Sequence, residues 1–352
     1  MGPVGLSGFS EIFIRREIYP NEHRTPLVPK DVRILVNSGI IVHVQSSKSR
    51  VYKDKEYEKA GAFITPYKWF FPYFIPSLIL GIKELDGIEC LDKHSHAYFS
   101  HSFKKQKDSE IILAHFSLSR SKLYDFEYLL DMTNNRIISF GIDAGQVGAV
   151  LGLLQHLLKL PVSLSPWDSF NEMINSVKPF LQDPINIGII GGNGRCGKGV
   201  QNILNLLKLP FTIFSRNSST DIKSEELKNF DIIYNCITLD ETYNKVWFNK
   251  ETKFVKKITI VDISCDVSKS NNPIQLYDKR TTWESPVYNY NDLVSIIAIE
   301  NLPSLLPKES SDNFSSILAP LLLNKNMNDN EKIWNAALEL YYNKTSIILS
   351  QC

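Results

Sequence analysis

A short apolar run, Ile187 to Ile190, leads without a break into Gly191-Gly-Asn-Gly-Arg-Cys-Gly197, and then into an apolar-periodic stretch from Val200 to Leu207. This segment constrains the fold of the chain more than any other. The apolar run reads as a buried strand and the periodic stretch as a helix, with a glycine turn between them. Gly192, Gly194 and Gly197 fit G-x-G-x-x-G, and Gly191, Gly194 and Gly197 repeat at a second three-residue spacing. Glycine is needed there for the tight turn, for close approach of backbone to a pyrophosphate, and for close packing of helix on strand. The helix start then offers free N–H groups and the positive end of its dipole to phosphate. Strand before and helix after are the context that a dinucleotide site requires. A glycine-rich turn that holds no ligand is the plainer alternative.

With 352 residues, the chain is long enough for two domains with separate cores. Its 43% hydrophobic and 22% charged content is that of an ordinary globular protein, and a net charge of +1 argues against a nucleic-acid binder. Cys90, Cys196, Cys236, Cys265 and Cys352 are scattered and form no C-x-x-C, which fits a reducing compartment without a zinc site. Met1 to Ser10 lacks the pattern of a signal peptide. Pro72 and Pro76 break the apolar run Trp69 to Ile82, which falls short of the ~20 residues that span a bilayer. A cytoplasmic protein is expected, with no membrane partner.

Upstream, strands are expected at Phe9–Glu17, Gly39–Gln45, Leu78–Lys83 and Ile111–His115, and helices at Pro29–Ser38 and Asp54–Ala60. The alternation predicts α/β structure with a parallel sheet. The nearly uncharged stretch Gly145–Leu160 predicts a helix buried between two domains, and Pro166–Leu181 a second helix. Further strands are expected at Phe211–Ser215, Ile232–Cys236, Ile258–Ile263 and Ser295–Ile299, then a helical tail from Ser310. A dinucleotide-binding domain at 140–308 is thus expected inside a discontinuous domain of 1–139 plus 309–352.

Several further segments carry a resemblance. They are Pro20-Asn-Glu22-His-Arg24, Gly81-Ile-Lys83-Glu84, His94-Ser-His96-Ala-Tyr-Phe-Ser-His101, Leu123-Tyr-Asp-Phe-Glu127, Val261-Asp-Ile-Ser-Cys-Asp266 and Asn301-Leu-Pro-Ser-Leu-Leu-Pro307. In order and spacing the chain resembles the saccharopine dehydrogenases of the lysine-forming type, within the alanine dehydrogenase-like group. The resemblance implies two Rossmann-like domains, each with a mostly parallel sheet, and an active site in the cleft between them. It implies oxidation of the secondary amine of saccharopine by a nicotinamide cofactor, and hydrolysis of the imine to L-lysine and 2-oxoglutarate.

The same resemblance makes Lys83 and His101 the acid–base pair and carries Arg24, Glu84, Lys104, Glu127 and Arg136 to the substrate. Around the cofactor the expected residues are Gly191, Gly192, Gly194, Arg195, Cys196, Gly197, Ser215, Arg216, Cys236, Glu300 and Leu302. The residue types suit these tasks. A lysine that takes a proton must spend time neutral, and burial or a nearby cation pushes it that way. Imidazole gives and takes protons near neutral pH. Guanidinium matches a carboxylate in two-point geometry. Structural roles are the plainer alternative for each: a surface lysine, a core histidine, an ion-paired arginine. His94, His96 and His101 lack the supporting ligands of a metal site, and none is expected. Whether Cys196 and Cys236 meet is left open, as is the oligomeric state.

The chain departs from the family pattern in three places. Tyr19 stands where the family tends to have a basic residue, and Asp143 where it usually has an aromatic. The acid expected after the second nucleotide-domain strand is missing, and Ser215-Arg216 stands there instead. A cation with hydroxyls suits a 2′-phosphate, so the cofactor is NADP or NAD with a lean to NADP. These departures keep open an opine-type NADPH-dependent condensation of another amino acid with a 2-oxo acid, like that of the carboxyethylornithine synthases. A silent nucleotide-binding regulator is a third alternative.

Overall fold

The computed structural model describes residues 9–70, 78–91, 93–104, 108–215, 224–239, 243–267, 269–323 and 327–349. The chain divides into two compact units, Met1–Ser139 with Lys308–Cys352, and Phe140–Pro307.

The first unit holds strands β1 (Glu11–Ile14), β2 (Ile41–Gln45), β3 (Phe63–Thr65), β4 (Leu78–Leu80), β5 (Ser95–Tyr98) and β6 (Lys122–Asp125). They form one sheet in the order β3-β2-β1-β4-β5-β6, and every pairing is parallel. This is the doubly wound Rossmann order, in which β1 is flanked by its successor β2 on one side and by β4 on the other. Helices α1 (Pro29–Asn37), α2 (Asp54–Lys59) and α3 (Ser109–Leu118) connect the strands. Phe13, Trp69, Ile79, Phe116 and Leu123 pack into one apolar cluster with Tyr341.

Ile111–His115, expected as a strand, lies within α3. The run Ile-Ile-Leu has no period of its own, and its apolar residues meet the core at helical spacing, through Leu113 and Phe116. Strand β4 ends three residues before Lys83, so Lys83 lies in the loop that follows rather than at the strand end.

The second unit opens on α4 (Gly141–His156), followed by α5 (Phe170–Asn175). A separate 3-10 turn covers Lys178–Phe180, so the long helix expected over Pro166–Leu181 is broken. Pro179 lies inside that turn and cannot donate to a continuing helix. Then come β7 (Ile187–Ile190), α6 (Arg195–Leu206), β8 (Thr212–Phe214), α7 (Ser224–Leu227), β9 (Ile232–Asn235), β10 (Ile258–Asp262), β11 (Tyr288–Asn289) and β12 (Val294–Ile297). The sheet order is β11-β12-β10-β9-β7-β8, parallel except where β11 meets β12. It too is Rossmann-like, with β7 flanked by its successor β8 on one side and by β9 on the other.

Helix α4 is apolar all round and packs within this unit on α6, β9 and β10. Glycine makes the α4–α6 approach possible. A Cβ on Gly145 would stand 2.0 Å from the Cys196 carbonyl oxygen, and one on Gly199 would stand 2.1 Å from that of Ile142. The tail forms α8 (Pro307–Leu322) and α9 (Met327–Leu349), and α9 packs on β6 and α3 of the first unit. Among the described residues no helix is long and apolar enough to cross a membrane.

Candidate active site

In a parallel sheet every strand points its carboxyl end to the same edge, and ligands bind at that edge beside the strand where the order reverses. In the first unit the chain leaves that edge after β1 into Arg15–Tyr19, after β4 into Gly81–Glu84, after β5 into Phe99–His101, and after β6 into Phe126–Tyr128. Topology alone therefore gathers Lys83, His101 and Glu127, which are far apart in sequence.

Lys83 is half-buried, and its Nζ lies 4.8 Å from the centre of the Tyr19 ring. Its backbone is held from β1. The Glu17 carboxylate accepts the N–H of Ile82 at 2.7 Å and that of Lys83 at 2.9 Å, and the Arg15 guanidinium donates to the Lys83 carbonyl. Burial pushes the Glu17 carboxyl above its usual range, against the opposing charge of Arg15.

His101 has φ +55°. This left-handed conformation is uncommon outside glycine, and such conformations cluster at functional sites. The turn that imposes it is anchored on β6. Ser100 Oγ donates to Asp125 Oδ2 at 2.7 Å, while Asp125 Oδ1 accepts the Glu127 N–H at 2.9 Å. One buried carboxylate thus fixes both His101 and Glu127. Burial pushes the Asp125 carboxyl up, and its hydrogen bonds oppose that. His101 Nδ1 lies 3.7 Å from Glu127 Oε1, and the same oxygen accepts from Arg136 Nη2 at 3.2 Å. Lys83, His101 and Glu127 so lie in the segments that follow the neighbouring strands β4, β5 and β6, with Arg136 paired to Glu127.

The remaining expected substrate residues differ in placement. Arg24 is 4% exposed and its fork is engaged by Glu22, with Nε at 2.8 Å and Nη2 at 2.6 Å. Burial would raise the Glu22 carboxyl, but the Arg24 charge and hydrogen bonds outweigh it and hold it below its usual range. Glu84 is exposed. Lys104 closes the 3-10 turn Ser102–Lys104, and its side chain lies outside the description. His96 is fully buried, with its ring 4.7 Å from that of Trp69 and 5.4 Å from that of Phe116. Among the described residues no group of three His, Cys, Asp or Glu side chains is placed to hold a metal ion.

In the second unit the glycine turn follows β7, and α6 starts at Arg195, five residues earlier than the apolar period indicates. Gly191 has φ +81° and Gly194 caps the helix. A Cβ on Gly192 would stand 2.6 Å from Ile213, and one on Gly197 would stand 2.5 Å from the Gly191 oxygen. Gly191, Gly192 and Gly197 are therefore demanded by the tightness of the turn, whereas a Cβ on Gly194 would meet nothing nearer than 3.4 Å. Gln201 locks it, donating from Nε2 to the oxygens of Gly192 at 2.6 Å and Gly197 at 3.1 Å.

Around the turn, Cys236 follows β9 and Ser215 follows β8 at the same edge. Burial, helped by the neighbouring Cys196, pushes the Cys236 thiol well above its ordinary value. Glu300 pairs with Arg280 at 3.0 Å. The side chain of Leu302 is buried in the apolar core with α4, which leaves only its backbone for a ligand. Arg216 lies outside the described residues.

Arg15, Glu17, Asp125 and Gln201 were not legible as site residues, because their role is to hold backbone. The only signal for the first two is that charges follow directly on the buried apolar run Ile12–Ile14, where burial is costly unless they are partnered.

The fold and this arrangement define a class. The structure aligns with an L-alanine dehydrogenase at TM-score 0.71 and 15% identity, covering 95% of this chain and 99% of that one. It aligns with a transhydrogenase from Sinorhizobium meliloti at TM-score 0.66 and 14% identity, covering 93% and 97%. Residues 13–145 match the family described as alanine dehydrogenase/PNT, N-terminal domain. The class is therefore that of the alanine dehydrogenase and transhydrogenase fold.

Two relatives narrow it further. The chain is 31% identical to a saccharopine dehydrogenase [NAD(+), L-lysine-forming] of Neurospora crassa, over 96% of this chain and 97% of that protein. It is 30% identical to the one of Schizosaccharomyces pombe, over 94% and 97%. The chain belongs to the saccharopine dehydrogenase family.

Proposed function

We propose that this chain is an oxidoreductase acting on a CH–NH donor, interconverting saccharopine with L-lysine and 2-oxoglutarate by way of a nicotinamide dinucleotide. The observation that carries this reading is the gathering of Lys83, His101 and Glu127 in the segments that follow β4, β5 and β6, with Arg136 paired to Glu127. Membership of the family supports it along nearly the whole chain.

The glycine turn fits a dinucleotide, since a tight turn that leaves no room for a Cβ at Gly191, Gly192 or Gly197 joins β7 directly to the start of α6. Gly191, Gly192, Gly194 and the N–H groups that begin α6 would hold the pyrophosphate. When bound, the nicotinamide supplies the hydride acceptor. The chain's own residues supply the rest. Lys83 takes the proton from the secondary amine. Water then adds to the imine carbon, and His101, beside the Glu127 carboxylate, moves protons to and from the carbinolamine so that it collapses to amine and ketone. Arg136 offers a cation for a substrate carboxylate, and Glu127 and Glu84 offer charge to a substrate ammonium. The scattered cysteines, with no C-x-x-C, suit a reducing compartment, the cytoplasm.

The relatives' names carry NAD(+). Ser215 and Arg216, with no acid directly after β8, favour a 2′-phosphate in this chain. The ratio of Kd values for NADH and NADPH decides between them, because one charge-assisted contact to the phosphate is worth about 10–100-fold. For the reaction itself, saccharopine with each oxidised nucleotide must release lysine and 2-oxoglutarate in equal amounts. Tight nucleotide binding without release of either product would make the chain a silent binder instead.

A further inference from the structure

The sheet hydrogen bonding between β1 and β4 ends where the Arg15 N–H reaches the Leu80 oxygen at 3.0 Å. Beyond that point the two chains part, and the crevice beside a switch strand opens. Three backbone groups of the β4 extension then face β1 with no strand opposite them: the N–H of Ile82, and the N–H and carbonyl of Lys83. Side chains of the β1 extension take the place of that strand. Glu17 accepts both N–H groups, at 2.7 and 2.9 Å, and Arg15 donates to the carbonyl.

The two side chains spend their bonding on this backbone more than on each other, since Arg15 Nη1 and Glu17 Oε2 are 3.5 Å apart. They are only 1% and 4% exposed. A buried pair of this kind is a poor source of stability compared with apolar packing. Gly81 is shaped to the same end, because a Cβ there would stand 2.2 Å from the Arg15 guanidinium. The guanidinium carbon also lies 5.5 Å over the ring of Tyr98, the last residue of β5 and the start of the turn to His101.

We propose that Arg15 and Glu17 are positioning residues for Lys83, fixing the backbone that carries it and tying it to the strand that leads to His101. The proposal rests on the reading of Lys83 as an acid–base group. Glu17→Gln keeps the size of the side chain, but its amide oxygen accepts only one N–H while its NH2 opposes the other. Misplacement of a catalytic group by about 1 Å costs on the order of 10²-fold in rate.

The test is a double-mutant cycle on the full chain, with Glu17→Gln and Lys83→Met made singly and together. Glu17→Gln alone is expected to lower kcat by about 10–100-fold, with KM for the substrates and Kd for the nucleotide within about twofold. In the Lys83→Met background the same change is expected to lower kcat by less than about twofold, since the two act as one unit. Arg15→Lys, which keeps the charge and loses the fork, gives the same pattern and serves if Glu17→Gln does not fold. Equal losses in both backgrounds, or no loss in either, overturn the proposal and leave the role of Lys83 standing. Full turnover by Lys83→Met alone overturns both.

Discussion

His101 Nδ1 stands 3.7 Å from Glu127 Oε1, and that oxygen also holds the Arg136 guanidinium. The Arg136 guanidinium keeps the Glu127 carboxylate from swinging away from the His101 ring. His101→Gln is expected to lower turnover by about 10²-fold or more. Its Tm should stay near that of the parent, because His101 is half-buried in a turn anchored by Ser100 and Asp125. Glu127→Gln is expected to lower turnover less than His101→Gln. Steady-state rates and a melting curve check both, and a lower Tm with unchanged specific activity would make His101 a structural residue.

Lys83→Met is expected to cut turnover by about 10²-fold or more, the scale of a general base. Nucleotide binding should be unaffected, because Lys83 belongs to the first unit and the glycine turn to the second. Fluorescence titration of nucleotide beside steady-state kinetics separates the two effects. A variant with near-normal kcat at saturating substrate would remove Lys83 from the chemistry.

His96 gives the fold an acid sensitivity. Both ring nitrogens are buried without a hydrogen-bond partner, between Trp69 and Phe116. Burial, with further contributions from His94 and Arg15, holds its pKa well below 6.5. The unfolded chain therefore takes up a proton at His96 that the folded chain refuses. Stability is fully present above pH 6.5 and falls as pH drops below it toward the folded value. His96→Phe should flatten the loss of Tm between about pH 7 and about pH 5. An unchanged slope in the variant would place the acid sensitivity elsewhere.

Much of this was legible in the sequence, and the exceptions have physical causes. The glycine turn announced itself because three of its glycines, Gly191, Gly192 and Gly197, answer a close contact with backbone or side chain. Lys83, His101 and Glu127 were legible through segments that the family shares. Arg15, Glu17, Asp125 and Gln201 were not, because a side chain that holds backbone follows no spacing rule. Ile111–His115 misled because three successive apolar residues suit a strand and a buried helix alike. The starts of α4 and α6 were missed because glycines, weak helix formers, fall in the first turns of both, Gly141 in α4 and Gly197 in α6, where packing of one helix on the other decides the matter.

Gly197→Ala should weaken nucleotide binding and lower the stability of the second unit. Its Cβ would meet the Gly191 oxygen and Gly192 Cα at 2.5 Å, and all of these are backbone atoms that cannot swing aside. Overpacking of this kind costs about 1–3 kcal/mol. A Kd for nucleotide equal to that of the parent would contradict the fit of the glycine turn to a pyrophosphate.

The central claim is tested most directly in the reductive direction. The enzyme is given NADH or NADPH with L-lysine and 2-oxoglutarate, and the fall in reduced-nicotinamide absorbance is followed. Oxidation is predicted only when both substrates are present, with saccharopine as the product by mass spectrometry. Oxidation with ornithine or pyruvate but not with lysine plus 2-oxoglutarate would contradict the account.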